Sequence, residues 1–148
     1  MNSALTLNDR LAIEMACQRL VHVYLRALDG GDPDGVADCF AEPGVLARPM
    51  QPDQRIEGRE AIRVSMRSRP KGLVTRHLAT NVIIDVASPL AATGVSLLTM
   101  IGCTPGEGAR PPFESAGPVY FGEFRDRFVR VGGEWKFLER LGSIAVKY

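Results

Sequence analysis

The chain has 148 residues, of which 45% are apolar and 24% charged, and its formal net charge is +1. This length and composition suit a single globular domain, residues 1–148, with a sizeable core. The near-zero net charge gives no reason to expect nucleic acid or a membrane as a partner, and no apolar run is long enough to span a bilayer. The first residues, MNSALTLNDR, lack the basic start and apolar stretch of a signal peptide. The three cysteines, Cys17, Cys39 and Cys103, lie far apart among apolar neighbours, which predicts buried reduced thiols in a cytoplasmic protein.

A long helix is predicted first, over residues 7–28. This segment contains no Pro or Gly, and its apolar residues recur at spacings of three and four. Thr6 and Asp9 have the spacing of a capping box, with Asp in the place of the usual Glu. Gly30 and Gly31 then predict the end of the helix.

Two shorter helices follow. Asp32 is a predicted N-cap with Pro33 at the first helical position, followed by GVADCF. A third helix is predicted over residues 58–69, where Pro70 ends it.

After Pro70 the apolar period changes from 3.6 to 2. Four long strands rich in β-branched and aromatic residues are predicted at 73–86, 91–103, 118–131 and 134–146. The Gly-Gly turn in VGGEW predicts that the last two form a hairpin. Shorter strands are predicted around GVLAR and QRIEG. Helices followed by hairpin-linked strands predict an α+β domain, with three helices covering the concave face of a strongly curved, mostly antiparallel sheet.

Two further expectations concern the strand region. Strands 91–103 and 134–146 alternate too little for a fully solvated outer face, which predicts a homodimer. Residues 104–118 hold four prolines and three glycines and predict an ordered or semi-mobile loop at the rim of the sheet. In that loop Phe113 is a candidate apolar contact over the pocket or the dimer interface. The sequence supports equally a loop that covers the pocket as a lid and a loop without a function.

Several stretches together resemble a known family: YLRALDGGDPDGVADCFAEPG, IEGREAI, TRHLATNVIIDV and GEFRDRFVRVGGEWKFLER. In this order they resemble the SnoaL-like branch of the nuclear-transport-factor-2-like superfamily. The resemblance implies a conical α+β barrel around one pocket. It does not fix the function, because the superfamily includes dehydratases, cyclases, isomerases, hydrolases and non-catalytic subunits.

Asp29 is a candidate catalytic residue. It lies in the last turn of the first helix, where the helix dipole disfavours an anion. It either shapes the C-cap and faces water, or it is a carboxyl at the pocket mouth whose pKa is raised by the dipole and by burial. The resemblance implies the second interpretation, because family members often place a catalytic or binding aspartate at this point of the YLRALD segment.

His77 is the second candidate. Strand alternation places it on one face with Thr75, Ala79 and Asn81, although the pattern does not say whether that face looks inward. Either His77 and Asn81 are polar groups on a pocket wall, or they bond to each other or to backbone on an outer face. The resemblance to scytalone dehydratase implies a His–Asp pair that moves protons while tyrosines hold an oxygen. The GEFRDRF strand contains no histidine, so this chain lacks the second catalytic histidine of a dehydratase that uses two.

The remaining candidates are predicted to bind substrate: Tyr24, Asn81, Met100, Tyr120, Phe124 and Asp126. Tyr120, Phe124 and Asp126 share the predicted inward face of their strand. For Asp126 we prefer a structural pairing with Arg140 or a backbone donor over a role as a second acid or base. Tyr24 precedes Asp29 by five residues, about 140° round the helix at 100° per residue, so both line one pocket only if the cavity is wide or the helix end unwinds.

The chain is rich in basic residues between Arg48 and Arg76. Arg59, Arg63 and Arg67 recur at helical spacing, which predicts a solvated helix face; an anionic ligand at the edge of the cone is the alternative. His22 falls on a polar stripe of the first helix and is predicted to lie at the surface.

No phosphate-binding loop, GxSxG elbow or metal-spaced cluster is present in the sequence, so we expect neither a cofactor nor a metal. The prediction is acid–base dehydration or isomerisation of a hydrophobic, oxygen-bearing molecule of polyketide, steroid or aromatic type. His77 and Asp29 would shuttle a proton while Tyr24 and Asn81 position oxygen. The alternative is a non-catalytic ligand-binding or assembly module akin to the structural subunit of aromatic-ring dioxygenases.

Overall fold

A computed structural model of the protein describes residues 4–148; residues 1–3, the start of the stretch that argued against a signal peptide, lie outside the described residues. The elements follow the order α1 (Leu7–Asp29), α2 (Pro33–Asp38), β1 (Phe40–Arg48), β2 (Gln51–Glu57), α3 (Arg59–Arg67), β3 (Val74–Ser88), β4 (Ala91–Cys103), β5 (Tyr120–Val131) and β6 (Glu134–Lys147). Every predicted element is present. The largest difference in element bounds is at β1, which begins at Phe40 rather than near Gly44. Within residues 4–148, none of the helices has the length and apolarity needed to cross a membrane.

Local capping explains where α1 begins and ends. The Thr6 hydroxyl accepts a hydrogen bond from the Asp9 backbone N–H at 3.1 Å, and the Asp9 carboxylate accepts one from the Thr6 N–H at 3.0 Å. The predicted capping box is therefore confirmed. Gly30 is the C-cap, and its N–H donates to the carbonyl of Arg26. This stop leaves Asp29 as the last helical residue, directly before the chain turns away.

The six strands form one curved sheet in the order β2-β1-β6-β5-β4-β3. All neighbours are antiparallel except β1 and β6, which run parallel. The sheet does not close, so β2 and β3 are its two edges. The α+β class is confirmed, with the helices packed on the inner face of the sheet. Helix α1 packs against the edge strand β3 on this inner face.

The core between helices and sheet is aromatic. The ring of Tyr24 meets the rings of Phe40, Phe124 and Phe137 edge-on, at centroid distances of 5.8–6.2 Å. On β5, Gly122, Phe124, Asp126 and Phe128 are buried while alternate residues are more exposed. The predicted inward face of this strand is therefore confirmed.

The predicted face of β3 is right only up to residue 80. Thr75 is buried and His77 and Ala79 are half-buried, but Asn81 is exposed. Asn81 has a left-handed backbone with φ of 52°, and the β3–β4 register shifts between Thr80 and Ile83. A bulge of this kind adds one residue and inverts the alternation. The expectation that Asn81 shares a face with His77 is therefore wrong.

The basic stripe of α3 is solvated only at Arg67, whose side chain is 56% exposed, and not at Arg63. Arg63 forms ion pairs with Asp34 at 2.6 Å, Asp38 at 3.2 Å and Glu60 at 3.0 Å, and its side chain is only 17% exposed. Arg67 also pairs with Asp34, at 3.1 Å. These contacts tie α3 to α2. His22, by contrast, is exposed on α1 as predicted.

A row of apolar side chains crosses the outer face of the sheet. Leu78, Phe121 and Val146 are 52%, 43% and 57% exposed. Thr99 of β4 is the register partner of both Leu78 and Phe121, and Phe121 is the partner of Val146, so the row crosses from β3 to β6 with one threonine between its apolar members. The outer face therefore offers an apolar surface remote from the helices.

Candidate active site

A cavity of about 350 Å³ lies between the helices and the inner face of the sheet. Its wall includes five of the residues predicted from sequence: Tyr24, His77, Met100, Tyr120 and Phe124. Most of the remaining wall is apolar, including Leu28, Met66 and Leu73. This combination of an apolar wall with a few polar groups is typical of a pocket for a small hydrophobic molecule.

Asp29 and His77 form a hydrogen-bonded pair at this wall. His77 Nδ1 lies 2.5 Å from Asp29 Oδ1, and the backbone N–H of His77 donates to Asp29 Oδ2 at 2.9 Å. The Thr75 hydroxyl donates to Asp29 Oδ1 at 2.8 Å. The side chains of His77 and Asp29 are 6% and 15% exposed. Asp29 does not itself line the cavity but lies behind His77, so it and Tyr24 need not share one helix face.

The surroundings of Asp29 favour its ionised form. Burial opposes ionisation, but the hydrogen bonds from the His77 ring and backbone and from Thr75 outweigh it and hold the pKa of Asp29 below its ordinary value. The expectation of a raised pKa is therefore wrong. An ionised Asp29 accepts from Nδ1–H, which leaves the Nε2 lone pair of His77 as the basic atom. Nε2 has no hydrogen-bond partner among residues 4–148.

Replacing Asp29 by Asn is expected to flatten the loss of stability on acidification. The pKa of Asp29 is lower in the folded protein than its ordinary value of 3.8. Its ionised form therefore stabilises the fold above that value, and this contribution is lost as the pH falls through the folded-state pKa. Thermal midpoints measured from about pH 2 to 6 should fall more steeply with acid in the wild type than in Asp29→Asn.

Asp85→Asn is the matched control for that comparison. Asp85 lies on β3, the strand that carries His77, but it is exposed and its carboxylate makes no hydrogen bond or ion pair with residues 4–148. Its variant should keep the wild-type acid slope. Parallel acid slopes in the wild type and Asp29→Asn would contradict the assigned environment of Asp29.

Tyr24 and Tyr120 bring hydroxyl groups to the same cavity. Tyr24 is 2% exposed, and burial raises the pKa of its phenol although the Arg140 guanidinium opposes that rise. Its hydroxyl is therefore a neutral hydrogen-bond donor at physiological pH. Tyr120 also lines the cavity, at the start of β5.

Two predicted substrate-binding residues lie outside the cavity wall. Asn81 is turned to the exterior by the β3 bulge. Asp126 is enclosed in the core, where its Oδ2 accepts a hydrogen bond from Arg140 Nη1 at 2.6 Å and both side chains are at most 1% exposed. The structural pairing with Arg140 is thus confirmed, and no route from Asp126 to the cavity is seen. Burial raises the pKa of Asp126 to about 6, with Arg140 opposing the rise.

Four polar residues at the site were not predicted from the sequence: Arg48, Gln51, Arg69 and Thr75. Thr75 supports Asp29, and its position two residues before His77 on a strand was a usable signal. Arg48 and Arg69 line the cavity. The sequence shows an excess of basic residues between Arg48 and Arg76. Their spacing does not predict which of them line one cavity.

Of the loop between β4 and β5, Pro118 lines the cavity wall. The Ser115 hydroxyl of the same loop donates at 3.0 Å to the carbonyl of Gly102, a β4 residue that also lines the cavity. Phe113 lies instead beside a separate depression next to the start of β3. The candidate contact of Phe113 over this pocket is therefore wrong. Among residues 4–148 no group of three or more His, Cys, Asp or Glu side chains could hold a metal ion.

Comparison with known proteins places this site in context. The model of a family described as a SnoaL-like domain matches residues 7–141. No curated protein matches the chain in sequence. A candidate scytalone dehydratase from Novosphingobium aromaticivorans has a similar structure, with a TM-score of 0.81, 24% identity, and coverage of 97% of this chain and 91% of that one.

Two other solved structures share the fold. A hexachlorocyclohexane dehydrochlorinase (LinA) Type2 gives a TM-score of 0.78 at 18% identity, covering 97% of this chain and 92% of that one. A candidate aromatic ring hydroxylase from Novosphingobium aromaticivorans gives 0.75 at 18% identity, covering 97% and 94%. At these identities the likeness shows the fold alone.

Proposed function

Because the chain belongs to the SnoaL-like domain family, we propose that it is a cofactor-independent acid–base enzyme, a dehydratase or isomerase of a hydrophobic, oxygen-bearing molecule of polyketide, steroid or aromatic type. One observation carries the proposal: His77 lines an open cavity while its Nδ1 is held by Asp29 at 2.5 Å. A carboxylate that fixes one ring nitrogen leaves the other as a general base. The apolar remainder of the wall supplies the preference for a hydrophobic substrate.

The proposed reaction begins with removal of a proton from a carbon next to a carbonyl group. The Nε2 lone pair of His77 takes that proton, and the imidazolium that forms is stabilised by ionised Asp29. The electron pair left on carbon moves to the carbonyl oxygen, which accepts a hydrogen bond from the neutral Tyr24 phenol. His77 then returns its proton to a leaving hydroxyl, releasing water, or to another carbon, giving an isomer. General acid–base catalysis of this kind contributes about 10²- to 10⁴-fold in rate.

The alternative is a ligand-binding or assembly module without catalysis. Such a module has no need for a histidine and an aspartate within hydrogen-bonding reach at an open cavity. The 2.5 Å contact and the cavity of about 350 Å³ therefore favour the enzyme. Because the structure of a candidate aromatic ring hydroxylase is similar, the experiment must be able to distinguish the enzyme from a non-catalytic module.

The proposal is tested by following solvent deuterium. The protein is incubated in D₂O with a panel of aromatic and alicyclic β-hydroxy ketones and α-acidic ketones, and NMR records loss of water and deuterium at the carbon next to the carbonyl. Exchange or elimination by the wild type that His77→Gln abolishes would support the enzyme. Binding of panel members without either reaction would support the module.

We also propose that the protein is a homodimer through its outer sheet face. The apolar row that includes Leu78, Phe121 and Val146 would be covered by the same row of a second copy, which removes exposed apolar surface from water. Sedimentation velocity at micromolar concentration should show a dimer. Leu97→Lys, at a 46% exposed position of the same face, should convert it to monomer.

Val64→Lys is the control for the dimer. Val64 is 58% exposed, but it lies on α3 and not on the sheet. This variant should remain dimeric. A wild type that sediments only as monomer would contradict the proposed dimer.

A further inference from the structure

Two arginines of the cavity wall, Arg48 and Arg69, differ from Arg63 and Arg140 in having no carboxylate partner among residues 4–148. Arg59 is also half-buried without one, but it donates to the Phe40 carbonyl and does not line the cavity. Arg140 and Arg63, with side chains 0% and 17% exposed, both contact carboxylates. Arg48 and Arg69 are half-buried, yet neither lies within ion-pair distance of a carboxylate among residues 4–148. Buried guanidinium groups are normally paired with an anion, because an isolated buried charge is costly. The cavity therefore contains two cations whose counter-ion the chain does not supply.

The hydrogen bonds of these arginines hold them in place without using their full capacity. Arg48 Nη2 donates to the backbone and side-chain oxygens of Ser65, while its Nε is enclosed without any partner. Arg69 Nη1 donates to the Leu28 carbonyl at 2.7 Å. A guanidinium has five N–H donors, so the two Nη1 donors of Arg48 and four donors of Arg69 have no partner among residues 4–148. Packing on one side and free donors on the other is the arrangement of a fixed anion clamp.

The electrostatics of the cavity point the same way. Burial lowers the pKa of Arg69 and the positive charge of Arg48 adds to this fall, while Tyr24 and Asp29 oppose it, so the two cations are close enough to repel. Asp29 is the nearby carboxylate, and it is already engaged by His77 and Thr75. An anion between Arg48 and Arg69 would relieve this repulsion.

From these observations we infer that the cavity takes a substrate that carries a carboxylate, held by Arg48 and Arg69 while its apolar body lies against Leu28, Met66 and Leu73. This inference rests on the proposed function, since it names the substrate class of the same cavity. It also gives His77 a defined target. A carboxylate fixed by the two arginines would orient the rest of the molecule relative to Nε2.

The test compares two probes of nearly the same shape, 2-naphthoate and 2-naphthamide, in which an uncharged NH₂ group replaces one oxygen of the carboxylate. Both are flat, apolar and small enough for a cavity of about 350 Å³. Isothermal titration calorimetry of the wild type should show the acid binding at least about tenfold more tightly than the amide, as expected for a charge-assisted pair. Arg48→Met and Arg69→Met should each lose this preference, whereas Arg125→Gln, at an exposed arginine of the outer face, should keep it.

A second measurement needs no variant, so it holds even if a Met variant does not fold. In ¹⁵N NMR of the wild type, 2-naphthoate should shift the Nε–H resonances of Arg48 and Arg69, and 2-naphthamide should not. Equal affinity for the two probes, binding of neither, or a preference that both Met variants retain would overturn the inference. His77→Gln should still bind 2-naphthoate more tightly than 2-naphthamide. The calorimetry therefore tests the carboxylate site, and the deuterium experiment separately tests catalysis.

Discussion

His77→Gln is expected to reduce turnover of the substrate by roughly 10² or more while changing the free energy of unfolding by no more than about 1 kcal/mol. Gln retains the size of the side chain and a donor for Asp29, but it cannot accept and return a proton. The enclosed position of His77, with its side chain 6% exposed, leaves little room for solvent to replace the base. Initial rates and chemical denaturation of the same preparations would give both quantities.

The opposite pattern would show that His77 only supports the fold. In that case Gln would clearly lower stability, and the chemistry would continue at nearly the wild-type rate. A substrate-free check is available from ¹⁵N NMR of the imidazole ring. The pair with Asp29 requires the tautomer protonated at Nδ1, and Asp29→Asn should change the tautomer population. An imidazole that ignores Asp29→Asn would remove the basis of the proposed mechanism.

Arg140→Met is expected to have the largest effect on stability, a loss of about 3–5 kcal/mol at neutral pH. It leaves the Asp126 carboxylate buried without its partner. It also removes a guanidinium that lies 3.8 Å from the Phe124 ring centroid and 4.6 Å from those of Tyr24 and Phe137. Urea denaturation followed by circular dichroism would measure the loss.

The loss should depend on pH and on the partner. Burial already raises the pKa of Asp126 to about 6 in the presence of Arg140, so an unpaired Asp126 can become neutral in mild acid. The destabilisation by Arg140→Met should therefore shrink as the pH is lowered from 7 to 5. The double variant Asp126→Leu/Arg140→Met should recover much of the loss, because no buried charge then remains unpaired.

Arg125→Met is the matched control for the buried pair. Arg125 pairs with Glu123 at 2.9 Å, but its side chain is 70% exposed. Loss of such a surface pair costs at most about 1 kcal/mol. Equal effects of Arg125→Met and Arg140→Met would mean that the core pair is not a stabilising feature of the native state.

The two polar centres of the interior have different environments and therefore different roles. The His77–Asp29 pair lies at the cavity wall, with one ring nitrogen left without a partner. The Asp126–Arg140 pair is closed off by aromatic rings, and Asp126 Oδ1, Arg140 Nε and Arg140 Nη2 have no partner there. Tyr24 and Phe124 touch both regions, since each lines the cavity and lies against Arg140. Loss of Arg140 could therefore reach the cavity through the position of the Tyr24 ring.

The sequence by itself determined the elements and the fold class. Helix α1 is specified by interactions between near neighbours, such as the pairing of Thr6 with Asp9 and the stop at Gly30. The same holds for the β5–β6 hairpin, whose turn residues Gly132 and Gly133 both have positive φ. Such features depend on a few consecutive residues, which is why pattern alone predicts them. Asp29 and His77 were selected partly from the family resemblance, because 48 positions separate them and spacing says nothing about their contact.

Only the tertiary structure decided which polar residues meet. Asn81 does not line the cavity, because its left-handed backbone forms a bulge that inverts the strand alternation. No local sequence pattern predicted that bulge. Arg48 and Arg69 come from the end of β1 and the segment after α3, and they converge only because both elements pack against the same cavity. Long-range packing of this kind depends on how helices and sheet fit together. The base of the site could be proposed from sequence, but the arginines that point to a carboxylate substrate could not.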